Sequence, residues 1–288
     1  MIIQVIVSGI ATGCIYALMA LGLTLIYKST EHVNFAQGDM SMISGFIAFT
    51  FFQLLRLPLR LSLCLALLSS VAIGLLMYRL LIRPAIKAPH FNIFIITLGA
   101  SIVIQSFSGL VWSYDQFPFP SVFPNRNMTI GMIRLNAISV GIIGVTGLLM
   151  LMLFLFFKCT KIGTAMRAVS QSQRAALLMG INVKRSFALT WAISGLISGI
   201  AALLIAPVIF LSTRMGLVVI NGFAGAILGG WGSIPGAVLG GIGLGILENV
   251  APYYFPSQIR NIIPFAVLVG VLVIKPTGIM GEERRKRV

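Results

Sequence analysis

Nine apolar runs separated by short polar breaks organise this chain, at residues 2–27, 40–55, 61–78, 91–112, 137–157, 187–211, 216–231, 235–250 and 262–274. The longest supply the ~20 apolar residues that carry a helix across about 30 Å of hydrocarbon. Several later runs are about 15 residues, or about 22 Å of helix, short for an upright span. Those runs are also rich in glycine. Short, Gly- or Pro-interrupted segments are the sequence form of broken helices, whose non-helical backbone is tolerated only beside a polar pathway. The pattern predicts an all-α polytopic membrane protein with about eight or nine transmembrane segments, one or two of them broken or re-entrant. It implies one transmembrane domain over residues 1–288, without room for a further soluble domain.

The polar loop at residues 158–185 departs most sharply from this background. It carries Lys158, Lys161, Arg167, Arg174, Lys184 and Arg185 and no acidic residue. A basic loop between two spans is held on the cytoplasmic side, and the same bias places Arg79, Arg83, Lys87 and the terminal ERRKR at Glu283 to Arg287 there. Residues 113–136, with Pro118, Pro120 and Pro124 set among aromatics, read as an ordered external loop. Arg56 and Arg60 flank a turn that alternation also places outside, where snorkelling accounts for them. The basic string TKIGTAMRAVSQSQRAALLMGINVKRS has the form of two short helices joined by a turn. Ala165, Ala168, Val169, Ala175, Ala176, Leu178 and Met179 give it apolar faces. Such an element either lies solvated on anionic lipid or docks in a groove of a cytoplasmic partner. Gly163 and Gly180, bracketing the stretch, favour a shaped docking element.

Composition sharpens the class. Of 288 residues, 58% are hydrophobic and 9% charged, against roughly 25% charged in soluble domains. The net charge of +15 is therefore positive-inside bias facing membrane lipid, and no nucleic-acid partner is expected. Cys14, Cys64 and Cys159 are scattered without CxxC or a nearby histidine, so they read as buried free thiols with no disulfide and no metal site. Residues 1–27 lack a basic n-region and are too long an apolar run for a signal peptide, so they read as a retained first helix.

Catalysis finds no footing. GLTLIYKS at residues 22–29 departs from a phosphate-binding loop at Tyr27, where glycine is needed for backbone N–H groups to wrap phosphate. His32 and His90 lie far apart without carboxylates at ligand spacing, and there is no GxSxG. The chain reads as no enzyme, with no catalytic residue.

The polar breaks carry the functional signal. Glu31 and Asp39 bracket NFAQ, and ionisable groups at membrane depth are costly and often functional. Asn34 and Gln37 lie three apart, sharing a face if a helical turn survives there. Their amides offer donors and acceptors without net charge, which suits a zwitterionic or uncharged polar solute. Phe35 and Gly38 add an apolar wall and room for close approach. Asn34, Phe35, Gln37, Gly38 and Asp39 are the predicted substrate pathway. Glu248, at the end of a Gly-rich segment, reads as a cap near water. The glycines from Gly222 to Gly245 read as close helix packing, with residues 231–235 a second break that would line the path. The stretches after Gly22 and after Gly216 share an apolar lead, a Gly-punctuated break and a further apolar run, compatible with an internal inverted repeat.

Four motifs resemble one family. NFAQGDM at residues 34–40, GTAMRAVSQSQRAALLMGINV at 163–183, GAILGGWGSIPGAVLGG at 225–241 and KPTGIMG at 275–281 together resemble branched-chain amino acid ABC importer permeases of the LivH type, nearly end to end and in order. The resemblance implies a permease subunit in a bacterial cytoplasmic (inner) membrane. It implies as partners a second homologous permease, two cytoplasmic ATPases that bind ATP and Mg in place of any cofactor in this chain, and an external amino-acid-binding protein. By position, residues 158–186 correspond to the ATPase-coupling loop, with Gly163, Arg167, Ala168 and Gly180 in its helical part. Asn34 to Asp39 corresponds to the family's NFAHG stretch near the path. Two departures stand out. Gln37 replaces the usual histidine, and the SQSQR region lacks the acidic residue the family often carries.

The expected function is thus ATP-driven import of branched-chain amino acids. Within the class the rival is a permease for urea, amides or other amino acids. From another class, an ion-coupled secondary transporter or channel would need a mid-membrane cation site, for which the chain offers Glu31, Asp39 and Glu248. A non-transporting scaffold would leave the polar breaks without a use.

Overall fold

The computed structural model describes residues 2–86, 88–124, 127–130 and 133–281. Lys87, Arg126 and the basic tail at Glu283 to Arg287 lie outside the described residues. In order run α1 (Ile2–Thr30), α2 (Gln37–Phe49), α3 (Leu59–Leu76), α4 (Arg83–Ala85), α5 (His90–Trp112), β1 (Asn127–Ile130) and β2 (Ile133–Asn136). Then follow α6 (Ala137–Cys159), α7 (Lys161–Gln171), α8 (Gln173–Leu178), α9 (Val183–Ile209), α10 (Val218–Gly229), α11 (Ile234–Val250) and α12 (Ile259–Ile274). Six of the helical segments are long and apolar enough to cross a membrane, and Met215–Gly229 and Ile259–Ile274 are shorter apolar helices. α2 with its π-helical continuation Thr50–Leu54 is a further apolar segment. Each apolar run of the sequence becomes a helix.

Among the described residues, the helical architecture is interrupted by a short hairpin and an isolated antiparallel bridge between Phe117 and Leu211. β1 and β2 form an antiparallel hairpin with Asn127 opposite Asn136 and Ile130 opposite Ile133. Four residues on each strand are too few for hydropathy to register, so the external loop reads from sequence as ordered but not as a hairpin. GLTLIYKS lies within the unbroken α1, as a non-phosphate stretch should. The cysteines need a correction: all are free, but Cys14 alone is buried, while Cys64 and Cys159 are exposed on apolar helix faces.

The chain forms two compact units. One takes α1 as far as Thr24, residues 121–146 and the chain from Val218 onward. Its packing is a glycine seam. A Cβ on Gly13 would meet the Ile242 carbonyl oxygen at 2.7 Å, one on Gly9 the Ile246 Cα at 2.9 Å, and one on Gly225 the Gly241 Cα at 2.8 Å. Such approach is the packing that holds helices together where no hydrophobic effect drives them. Between α10 and α11 the chain breaks at Gly230, whose φ of 114° a side chain rarely tolerates. Ser233 then caps α11, its Oγ accepting from the Gly236 N–H at 3.2 Å. The KPTGIMG segment closes the end of α10: the Ile279 and Met280 N–H groups donate to the Leu228 and Gly229 carbonyls at 2.9 and 2.8 Å.

The other unit takes residues 25–120 and 147–217. Here α3 and α9 lie backbone to backbone, Gly74 against the Trp191 carbonyl and Gly195 against that of Ser70. Trp191 and Phe187 of α9 share a core with Met40, Tyr78, Ile82, Ile93, Val169 and Ala176. That core joins α2, α5, α7, α8 and α9.

Candidate functional site

The site begins where α1 stops. Glu31, at φ 60°, turns the chain out of the helix after Thr30, and residues 31–36 are non-helical. Ser29, still on α1, receives a hydrogen bond from Thr190 Oγ1 at 3.0 Å. Gln37, the first residue of α2, instead reaches Ser194 and Ser198, one and two turns further along α9. The chain therefore doubles back along α9, and α2 begins inside the unit. Ser198 stands about 22 Å along α9 from its start at 1.5 Å per residue. The polar break that the sequence marks at residues 31–39 thus separates α1 from α2, whose first residue is buried.

Asn34 and Gln37 do share a face: Asn34 Nδ2 donates to Gln37 Oε1 at 3.1 Å. The same Oε1 accepts from Ser194 Oγ at 2.9 Å, while Gln37 Nε2 donates to Ser198 Oγ at 2.6 Å and to the Ser194 carbonyl at 3.4 Å. Asn34 Nδ2 also lies 3.3 Å from Met40 Sδ, and its Oδ1 accepts from the Ala36 N–H at 3.1 Å. Both residues are fully buried. The amides thus form a closed knot between the break and α9 in this conformation, and do not face an open passage. An amide group left unpaired at such depth costs about 1–3 kcal/mol, which the α9 serines avoid. Gly38 is buried beside them. Phe35 is half-buried and meets Phe94 edge-on, with ring centroids 4.9 Å apart.

Asp39 is 7% exposed. Its Oδ2 accepts from Ser101 Oγ of α5, and a Cβ on Gly216 would come within 2.7 Å of its Oδ1. Sequence reasoning missed Ser101, Ser194, Ser198 and Gly216. A signal was available on α9, where Ser186, Thr190, Ser194 and Ser198 recur every fourth residue, one buried hydroxyl stripe in an apolar helix.

The basic loop is a pair of short helices, as its pattern predicts, and each is capped. Thr160 caps α7 by accepting from the Gly163 N–H at 2.9 Å, Ser172 caps α8 through the Ala175 N–H at 3.2 Å, and Asn182 caps α9 through the Arg185 N–H at 3.1 Å. Gly180, at φ 78°, turns the chain between α8 and α9. Its predicted apolar face divides in two. Met166, Val169 and Ala176 are buried within the unit, and Gly163 packs on the Phe156–Phe157 backbone of α6. Ala168 is half-buried and Arg167 exposed. The uncovered apolar tip is Leu177, Leu178 and Met179, at 59%, 89% and 81% exposure.

Glu248 corrects the sequence reading. It is not a cap in water but 6% exposed, with Oε1 accepting from Arg260 Nε at 3.1 Å. Among the described residues, no three His, Cys, Asp or Glu side chains cluster to hold a metal ion.

Apolar helices in this number, with the buried polar start of α2 among them, define a multi-pass helical membrane protein. The family described as "Branched-chain amino acid transport system / permease component" matches residues 5–272. The chain belongs to that family. It is 30% identical to the high-affinity branched-chain amino acid transport system permease protein LivH of Salmonella typhimurium, over 99% of this chain and 97% of that protein. It is 32% identical to BraD of Pseudomonas aeruginosa, a permease protein of the same description, over 99% and 98%. An archaeal relative, the probable branched-chain amino acid transport permease protein LivH of Methanocaldococcus jannaschii, is 30% identical over 93% and 89%. Among solved structures, PsaBC from Streptococcus pneumoniae in complex with Fab contains a chain similar in fold. The TM-score is 0.50 at 15% identity, covering 95% of this chain and 91% of that one. At that identity the likeness speaks for the fold alone.

Proposed function

We propose that this chain is the membrane permease subunit of an ATP-driven importer in a bacterial cytoplasmic membrane, passing branched-chain amino acids delivered by an external binding protein. It pairs with a second, homologous permease. Two cytoplasmic ATPases bind and hydrolyse ATP, and this chain contributes no catalytic group. The basic loop faces the cytoplasm, and alternation from α9 through α10 and α11 puts the start of α12 outside and its end inside.

One observation carries the reading. The α7–α8 pair is rigidly capped and positively charged, yet it ends in an uncovered apolar tip at Leu177, Leu178 and Met179. A helix pair adsorbed on lipid would need its apolar residues along one face of α7 as well, but there Met166 and Val169 are turned inward. A cytoplasmic ATPase with an apolar groove is the occupant that fits. Motion received at the tip has a packed route inward: Val169 and Ala176 share a core with Phe187 and Trp191 of α9. That helix also holds Gln37 through Ser194 and Ser198. Shifting α9 would loosen the amide knot and free Asn34 and Gln37 to exchange protein hydrogen bonds for those of a passing solute. Amides without net charge bind a zwitterion weakly enough to release it.

Leu178→Asp tests the tip, because a charge placed in a packed contact is costly to desolvate. The variant should insert normally, lose co-purification with the ATPases and abolish ATP-dependent uptake. Normal co-purification and uptake would return the loop to a lipid-facing role.

A further inference from the structure

The end of α9 remote from the basic loop carries a strained closure. α5 stops at Trp112 and α9 at Ile209, and the residue after each holds a backbone conformation that side chains rarely adopt. Ser113 stands at φ 73°, ψ 169° and Phe210 at φ 61°, ψ 153°. That region is essentially confined to glycine, so both turns are strained. Each leads into one half of the isolated antiparallel bridge. The Phe117 N–H donates to the Leu211 carbonyl at 2.8 Å, and the Leu211 N–H to the Phe117 carbonyl at 2.9 Å.

The bridge does not extend into a ladder. The next hydrogen-bonded pairs of an antiparallel ladder lie two residues on. On one side Ile209 is still helical, and on the other the Thr213 carbonyl accepts instead from Gln105 Nε2 of α5 at 3.2 Å. Side chains complete the closure. Leu211 is fully buried against Gly45 of α2, where an added Cβ would meet its Cδ1 at 2.8 Å. The Phe117 ring packs on Phe46 and Phe49 of α2 with centroids 6.5 and 5.0 Å apart, and Phe46 stacks on Trp112 at 5.2 Å. Phe119 meets Phe52 at 6.4 Å, and Trp112 Nε1 donates to Thr50 Oγ1 at 2.7 Å. Residues 113–120 thus strap the far end of α2. Gly45, under the strap, is about 12 Å along that helix from the amide knot at Gln37.

Strained backbone persists only where its surroundings over-determine it, and it gathers at switch regions. Here the surroundings are one pair of hydrogen bonds and an aromatic stack, both of which can part. We propose that the Phe117–Leu211 bridge is the latch of an external gate, which opens by turning about Ser113 and Phe210 and lets solute approach the polar start of α2. The proposal rests on the reading of the chain as an importer permease. It gives the path an outer closure separate from the amide knot.

Leucine uptake by the reconstituted complex of permeases, ATPases and loaded binding protein tests it. Residues that exchange both hydrogen bonds have Cα atoms about 5.5 Å apart, within the reach of about 4.4–6.8 Å for a disulfide. With Cys14, Cys64 and Cys159 replaced by alanine, Phe117→Cys/Leu211→Cys should therefore crosslink on oxidation. The oxidised complex should lose at least about tenfold in uptake rate, and reductant should restore it. Uptake unchanged by a disulfide confirmed by mass would overturn the latch and leave the strap a fixed brace. Ser113→Gly/Phe210→Gly covers the case in which the cysteine pair does not fold or is inactive when reduced. Glycine at both hinges relieves strain in the closed state alone. It should raise the thermal midpoint and slow uptake at least about threefold, by shifting the gate toward closed. A raised midpoint with wild-type uptake, or an unchanged midpoint, would overturn the proposal. Either failure in a system whose wild type imports leucine sinks the latch alone. A wild-type complex that imports no amino acid sinks the functional reading itself.

Discussion

Gln37 is held on both sides of its amide, with Oε1 accepting from Asn34 and Ser194 and Nε2 donating to Ser198 and the Ser194 carbonyl. A neutral imidazole keeps one donor and one acceptor, so Gln37→His should fold and retain uptake within a few-fold of wild type. Gln37→Leu strips partners from Asn34, Ser194 and Ser198 at about 1–3 kcal/mol for each group left unpaired. It should lower the thermal midpoint of the purified protein and slow initial uptake in vesicles. Equal midpoints and rates for both variants would show that the knot neither stabilises the break nor gates it. The spacing of Asn34 and Gln37 made their shared face legible in the sequence. Their burial was not, because the serines that satisfy them lie about 160 residues away and only the folded chain brings α9 to the break. Glu248 was misread for a similar reason: a carboxylate near a helix end looks solvated until its partner, Arg260, is known.

At the scale of elements, hydropathy located the helices well and their fine structure poorly. The apolar runs match helices closely, since lipid leaves the backbone little alternative to helix. The π-helical stretches at Thr50–Leu54 and Met77–Ile82 and the β1–β2 hairpin depend on local geometry that composition does not record. The loop from α6 to α9 was legible as two short helices with Gly180, a helix terminator, at their end. The caps at Thr160, Ser172 and Asn182 were not read from the sequence, although these are residue types that favour caps. Which apolar residues face inward was not legible, because α7 buries only Gly163, Met166 and Val169. Gly163 sits so close to the Phe156 carbonyl that a side chain there must displace backbone. Gly163→Leu should therefore pry α7 from α6 and uncouple ATP hydrolysis from uptake, with the ATPases still bound through the intact tip at Leu177 to Met179. ATPase stimulation by loaded binding protein, measured beside uptake, checks this. Preserved coupling in the variant would mean that the α6–α7 elbow does not transmit motion.

The whole molecule combines a glycine-seamed unit of α1, α10, α11 and α12 with a unit in which α2, α3, α5 and α9 enclose the polar break. Membership of the branched-chain amino acid permease family gives these parts one purpose, and the energy source separates that purpose from its strongest rival. A secondary transporter would use Asp39, buried against Ser101, as an ion-coupling carboxylate. In the importer reading proposed above, it ties the start of α2 to α5 through Ser101. The most direct measurement is leucine accumulation in proteoliposomes containing the chain with its partner permease, ATPases and binding protein. The account predicts uptake that requires ATP on the ATPase side and loaded binding protein on the other, and that persists when proton and sodium gradients are collapsed. Uptake that runs without ATP and follows an imposed ion gradient would contradict it.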